Sequence, residues 1–254
     1  MKKADLDSDP WAVAWAIRTL VLMAFLAAMT VPLGLVPIIA VATSEEGETI
    51  VSRDTVEISL ISAESTPTPL AAETEPHLPR VGIIAGHSGY DSGAVCPDGL
   101  QEVAINSDIA QRVVSALQSY GWQVDLLQEF DVRLNAYLAD ALVSIHADSC
   151  GFAGKTGFKV ARAEASYVPE PEDRLVQCLS VRYAQQTGLP FDAHTITYDM
   201  TRYHAYYEVN PATPAAIIEV GFMLDDRELL TQRPDLVAQG IANGIVCFIE
   251  AQAP

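Results

Sequence analysis

ALVSIHA, residues 141–147, decides the architecture. The run carries no acid or base other than its histidine, and Val143 and Ile145 are β-branched. It is too short for a buried helix and reads as a strand covered on both faces. Two more runs of this kind flank it in sequence, RVGIIAG (80–86) and AAIIEVGF (215–222). Helical patterns lie between and after them. Residues 100–120 place Ala110, Val113, Val114 and Leu117 on one face and stop at Gly121. Residues 171–186 stop at Gly188, and residues 234–251 open on Pro234 with Asp235 in the first turn. These are ordinary helix start and stop signals. Shorter strands are expected at 122–127 and 157–162, and shorter helices at 132–139 and 225–232. Strands alternating with helices predict an α/β domain over 80–254: a doubly wound, mainly parallel sheet flanked by helices on both faces.

The preceding 79 residues have another character. Residues 19–42 hold no charge and are mostly Leu, Val, Ala, Met and Ile. As a helix they would reach roughly 36 Å, enough for a hydrocarbon core of about 30 Å. Lys2, Lys3 and Arg18 precede the run and Glu45, Glu46 and Glu48 follow it. That bias places a short leader (1–18) in the cytoplasm and the rest of the chain outside it. The expectation is a transmembrane anchor at 19–42. The alternative is a signal cleaved near Ala40-Val41-Ala42, which would release a secreted protein. Residues 43–79 are rich in Ser, Thr, Glu and Pro, with eight acids against Arg53 alone. They are expected to be a disordered linker, because such a stretch buries too little apolar surface to fold.

The formal charge is −18, and residues 80–254 contribute 22 acids against 11 bases. A nucleic-acid partner is excluded, since phosphates need a basic footprint. Of the three pairings that four cysteines allow, the preferred one is Cys96–Cys150 and Cys178–Cys247. Cys96 and Cys150 each follow a histidine of the candidate site, and Cys178 and Cys247 sit in two expected helices. No C-x-x-C spacing suggests a cysteine metal site.

Four scattered residues carry the chemistry. His87, His146 and Glu219 each stand at the end of an apolar strand run, and Glu102 opens a helix. In open α/β sheets, ligand sites gather beyond the carboxyl ends of the strands. A hydrolytic zinc site needs three protein ligands and one open position, plus a separate carboxylate to move protons. His87, Glu102 and His146 suit the ligands, and Glu219 suits the acid/base, with burial raising its pKa. Each also has a plainer reading. A histidine at a strand end is commonly structural, and a glutamate in a first helical turn serves the helix dipole. Glu219 resists that treatment, because a carboxylate between apolar residues costs several kcal/mol unless paired or protonated.

GHSGYDSGA (86–94), GLQEVAIN (99–106), VSIHAD (143–148), PAAIIEVGFM (214–223) and IANGI (241–245) together resemble the zinc-dependent N-acetylmuramoyl-L-alanine amidases of the type 3 catalytic domain. The resemblance runs in order through residues 80–254. It implies Zn2+ as cofactor, with His87, Glu102 and His146 as ligands and Glu219 as the catalytic carboxylate. It implies peptidoglycan as substrate, cut between the lactyl group of N-acetylmuramic acid and L-alanine. Arg202, in YDMTRYHAYYE, would hold a peptide carboxylate; an ordinary salt bridge is the alternative. The catalytic domain is expected to be monomeric and to work outside the cytoplasm. Rival readings are a catalytically silent wall-binding module and a zinc peptidase that cuts the stem peptide. Some positions depart from the family pattern. Ser88 and Ser92 replace a glycine and a proline of the first motif, and Asp148 replaces an asparagine. The stretch between Glu102 and His146 lacks the usual Thr-Arg pair.

Overall fold

The structure is a computed structural model that describes residues 77–251. The expected anchor at 19–42 and nearly all of the expected linker lie outside the described residues. Among the described residues, no helix is long and apolar enough to cross a membrane.

Five strands form one sheet: β1 (Arg80–Ala85), β2 (Gln123–Leu127), β3 (Ala141–Asp148), β4 (Lys159–Ala161) and β5 (Ala215–Phe222). Their order is β2-β1-β3-β5-β4. The first four in that order are mutually parallel, and β4 closes the edge antiparallel to β5. The expected strand over 157–162 therefore shrinks to three residues and reverses direction, making the sheet mixed. The central strands β3 and β5 are buried along most of their length, as their mainly apolar sequence requires.

Alternation along the strands separates two faces. Val81, Ile83, Val143, Ile145, Ile218 and Val220 point into the larger core, with Ile109, Leu117, Leu179 and Ile241. The helices α1 (Glu102–Gln118), α2 (Pro169–Thr187) and α6 (Pro234–Glu250) cover this face. Ile84, Leu142 and Ile217 point the other way, into a smaller core with Leu134, Tyr137, Met200 and Tyr203. Its cover includes only two four-residue helices, α3 (Tyr198–Thr201) and α4 (Ala205–Glu208), and a 3-10 turn at Val132–Leu134. The doubly wound expectation is corrected accordingly: all three long helices sit on one face. The helix expected at 132–139 shrinks to that 3-10 turn. The Asp131 carboxylate caps its start by accepting from the Arg133 amide, but Ala136 then donates to the Glu208 carbonyl and takes φ 56°, which ends it.

The helical layer is close-packed. A Cβ at Gly244 would stand 2.7 Å from the Leu179 Cα, so α2 and α6 approach nearly backbone to backbone. Cys178–Cys247 joins the same two helices, with Cα atoms 5.8 Å apart. Cys96–Cys150, at 5.5 Å, joins the loop after His87 to the loop after His146. Both pairings are those preferred from sequence. The remaining helix, α5 (Arg227–Gln232), bridges β5 and α6.

Candidate metal centre

Three of the four sequence candidates converge at the carboxyl ends of β1 and β3. One ligand atom each from His87, Glu102 and His146 lies within 4.8 Å of the others. Glu102 Oε1 stands 3.2 Å from His87 Nε2 and 3.2 Å from His146 Nδ1. The fourth candidate, Glu219, is the register partner of His146 across β3 and β5. Neighbouring residues in register on parallel strands share a face, so Glu219 stands beside His146 on the thinly covered side of the sheet.

Local structure fixes each group. β1 ends at Ala85, and His87 then takes φ 66°, a left-handed conformation that costs energy in a non-glycine residue. Its Nδ1 meets Asp91 Oδ1 at 2.6 Å, leaving Nε2 to face Glu102. A carboxylate behind a histidine is the usual way to orient a metal ligand. Glu102 is buried at the first residue of α1, where it accepts from the amides of Ala94 and Ala147 and from Asn106 Nδ2. Gly86 and Gly93 leave room for the ligands. A Cβ at Gly86 would lie 2.4 Å from His146 Nε2, and one at Gly93 2.6 Å from Glu102 Oε2.

The electrostatics follow from this crowding. The hydrogen bond to Glu102 pushes His87 up to about 9. Burial opposes ionisation of Glu102, but the hydrogen bonds from His146 and His87 outweigh it and hold the carboxyl well below its usual range. Glu219 behaves in the opposite way. Burial pushes it up to about 7, Asp148 and Glu102 add to the rise, and His146 opposes it. Its Oε2 is sealed from solvent without a hydrogen-bond partner.

Two imidazole nitrogens and one carboxylate oxygen, facing one another in a wall with no side chain at 86 or 93, fit a zinc-like divalent cation. The set leaves net positive charge on the ion and is that of known hydrolytic zinc sites.

Several neighbours complete the site, and sequence reasoning missed Glu129 among them. Glu129, in the stretch lacking the Thr-Arg pair, is buried behind the site. It accepts from the His87 amide at 2.6 Å, lies 3.5 Å from His146 Nε2 and reaches His204 at 3.0 Å. Burial works against its ionisation, but the contacts with His204, His146 and the His87 amide hold it at about 2. His204 in turn contacts Glu208 at 2.7 Å. The Tyr203 ring packs on His146 with centroids 5.6 Å apart, and its hydroxyl meets that of Ser144. Asp148, which stands in place of asparagine, pairs with the buried Lys159, the register partner of Glu219. Tyr90 and Phe130 form an exposed aromatic pair, and Phe130 stacks over His204. Only Asp91, four residues after His87, carried a local signal. Arg202 is exposed, bound to Glu164 at 2.9 Å and stacked on Tyr198.

The family described as N-acetylmuramoyl-L-alanine amidase matches residues 81–247. Over 80 residues the chain is 35% identical to the N-acetylmuramoyl-L-alanine amidase AmiC of Neisseria meningitidis serogroup B, covering 28% of this chain and 19% of that protein. The chain thus spans about a fifth of the length of this curated relative. Among solved structures, the amidase Ami1 of Mycobacterium smegmatis superposes with a TM-score of 0.57 at 21% identity, over 68% of this chain and 98% of that one. The amidase AmiC2 of Nostoc punctiforme gives 0.53 at 25% identity, over 68% and 97%. The first of these likenesses speaks for the fold alone. The family match spans every strand of the sheet and all four candidate site residues, and on it rests the assignment: this chain belongs to the N-acetylmuramoyl-L-alanine amidase family.

Proposed function

We propose that this chain is a zinc-dependent hydrolase of peptidoglycan, cleaving the amide between the lactyl group of N-acetylmuramic acid and L-alanine of the stem peptide. The observation that carries the reading is the placement of Glu219, with an unpartnered oxygen, beside a His87–Glu102–His146 donor set. His87, Glu102 and His146 would hold the ion, which would supply Lewis acidity toward the scissile carbonyl and acidify the attacking water.

The chain's own groups do the rest. Glu219 takes a proton from the attacking water as the new C–O bond forms, and returns it to the alanine nitrogen as the C–N bond breaks. A carboxyl poised near neutrality serves both transfers. Asp91 fixes the His87 ring, and Asn106 and two backbone amides fix Glu102, so the ligands need little rearrangement. Glu129 and Tyr203 hold His146 from behind. The exposed pair Tyr90 and Phe130, beside the site, offers apolar surface to a sugar ring. Two disulfides support work in an oxidising compartment outside the cytoplasm, as does the charge bias around residues 19–42.

The test is to incubate the purified chain with zinc and soluble peptidoglycan fragments and to read products by mass spectrometry, with Glu219→Gln as control. Stem peptides released with a free L-alanine amine, absent from the control, are the expected result. Cleavage inside the stem instead identifies a peptidase. Binding without cleavage identifies a silent wall-binding module.

A further inference from the structure

A cavity of about 470 Å³ opens at the other end of β5, where the strand begins. Its walls include Ala163, Glu172, Tyr206, Val209, Thr213 and Ala215. Ala215 precedes Glu219 by four residues, roughly 13 Å along a strand, so this is not the metal centre. The size suits a small ligand.

Glu172 is the unusual wall residue. It is only 4% exposed. Its Oε1 accepts from the Ala215 amide at 3.4 Å, while its buried Oε2 has no hydrogen-bond partner. Burial pushes the Glu172 carboxyl up, and the Ser166 hydroxyl, the Ala215 amide and the charge of Arg162 oppose that rise without giving Oε2 a hydrogen bond. Among the described residues, no lysine, arginine or histidine lines the cavity. The nearby Arg162 is committed to Asp173 and to the Ala163 carbonyl. A residue needed only to receive one amide would not require a charge, since glutamine would serve. A buried carboxyl with one oxygen unpartnered stays ionised only when a cation meets that oxygen, and is otherwise protonated. The remaining wall suits a cation on an aliphatic stem. The Tyr206 hydroxyl is used by the Ala161 carbonyl, which leaves its ring as surface, and Tyr167 and Tyr207 stand exposed at the mouth. Aromatic faces attract ammonium groups.

We propose that this cavity is a second ligand site, taking a primary alkylammonium group whose charge meets Glu172 and whose stem lies against the tyrosines. The site is independent of the metal reading, and its test is run without metal. The full 254-residue chain, in EDTA and at fixed ionic strength, is titrated with n-butylammonium chloride by calorimetry, with n-butanol as the uncharged match. One saturable site with a Kd on the order of millimolar is expected for so small a probe. Butanol and the Glu172→Gln variant should each bind about tenfold or more weakly, because a charge-assisted bond is lost. Ala165→Trp, placed at the exposed rim, should block binding while leaving Glu172 in place. No saturation across the millimolar range, equal affinity for butanol, or unchanged binding in either variant overturns the proposal. If Glu172→Gln does not fold, Ala165→Trp and butanol still decide the matter.

Discussion

Gly86→Ala isolates the metal centre with a single methyl group. Gly86 follows β1, and its amide continues the ladder by donating to the Ile145 carbonyl at 3.0 Å. Its φ does not lie in the left-handed region, so alanine fits the backbone. The new methyl would stand 2.4, 2.5 and 2.7 Å from His146 Nε2, Cε1 and Cδ2. Ordinary carbon contacts begin near 3.5 Å, so the ring must retreat by about 1 Å. It has little room, because Glu129 Oε2 lies 3.5 Å from Nε2 and the Tyr203 ring closes the same side. The strain should cost about 1–3 kcal/mol of stability. Misorienting a ligand should cost about 10–100-fold in metal affinity, and a displacement of this size about a hundredfold in rate. Zinc affinity by chelator competition and urea unfolding of the metal-free protein, measured on the same preparations, separate the two effects. A folded Gly86→Ala protein with wild-type zinc affinity would refute the placement of His146 in the donor set.

Four other outcomes are expected. Glu219→Gln should keep one zinc per chain by elemental analysis and lose about 10²–10⁴-fold in turnover; full activity would remove Glu219 from the acid/base role. His87→Ala and His146→Ala should each lose bound zinc, and unchanged stoichiometry would reject that ligand. In the metal-free protein, Glu219 has its folded pKa raised to about 7. Its stabilising contribution is full below about 4.5 and lost as pH rises through 7. Glu219→Gln should therefore be more stable than wild type at pH 8, by on the order of 2–3 kcal/mol, with no such gain at pH 4. Chemical unfolding at both pH values checks the sign. Replacing Cys178 and Cys247 by alanine should cost about 2–4 kcal/mol, since the bond spans 69 residues; an unchanged urea midpoint would mean the helix pair needs no tie.

The central strands were legible because an uncharged run such as ALVSIHA has few alternatives, and a lone His or Glu at its end stands out. The long helices announced themselves through spacing and through Gly188 and Pro234. Residues 128–140 and 190–210 were not legible. Their conformations depend on distant partners: Ala136 bonds Glu208, and Glu129 bonds His204 across 75 positions. No local pattern encodes such contacts, so an expected helix dissolved into a turn and the buried Glu129 passed unnoticed. The antiparallel direction of β4 was likewise invisible, because three residues carry no signature of orientation.

The unequal covering of the sheet divides labour within the chain. One side is a rigid chassis of three long helices whose mutual approach tolerates little change. The chemistry gathers at the carboxyl ends of the strands, with Glu102 supplied by the first turn of α1 and His146 and Glu219 facing the other side, roofed by connections such as 193–210. Substitutions or insertions in that roof can reshape what enters the site while the helical layer continues to hold the strands, and with them the ligands, in register. Variation among proteins sharing this scaffold should therefore concentrate above the reacting residues, and the half of the molecule that never meets substrate should be the slower to change.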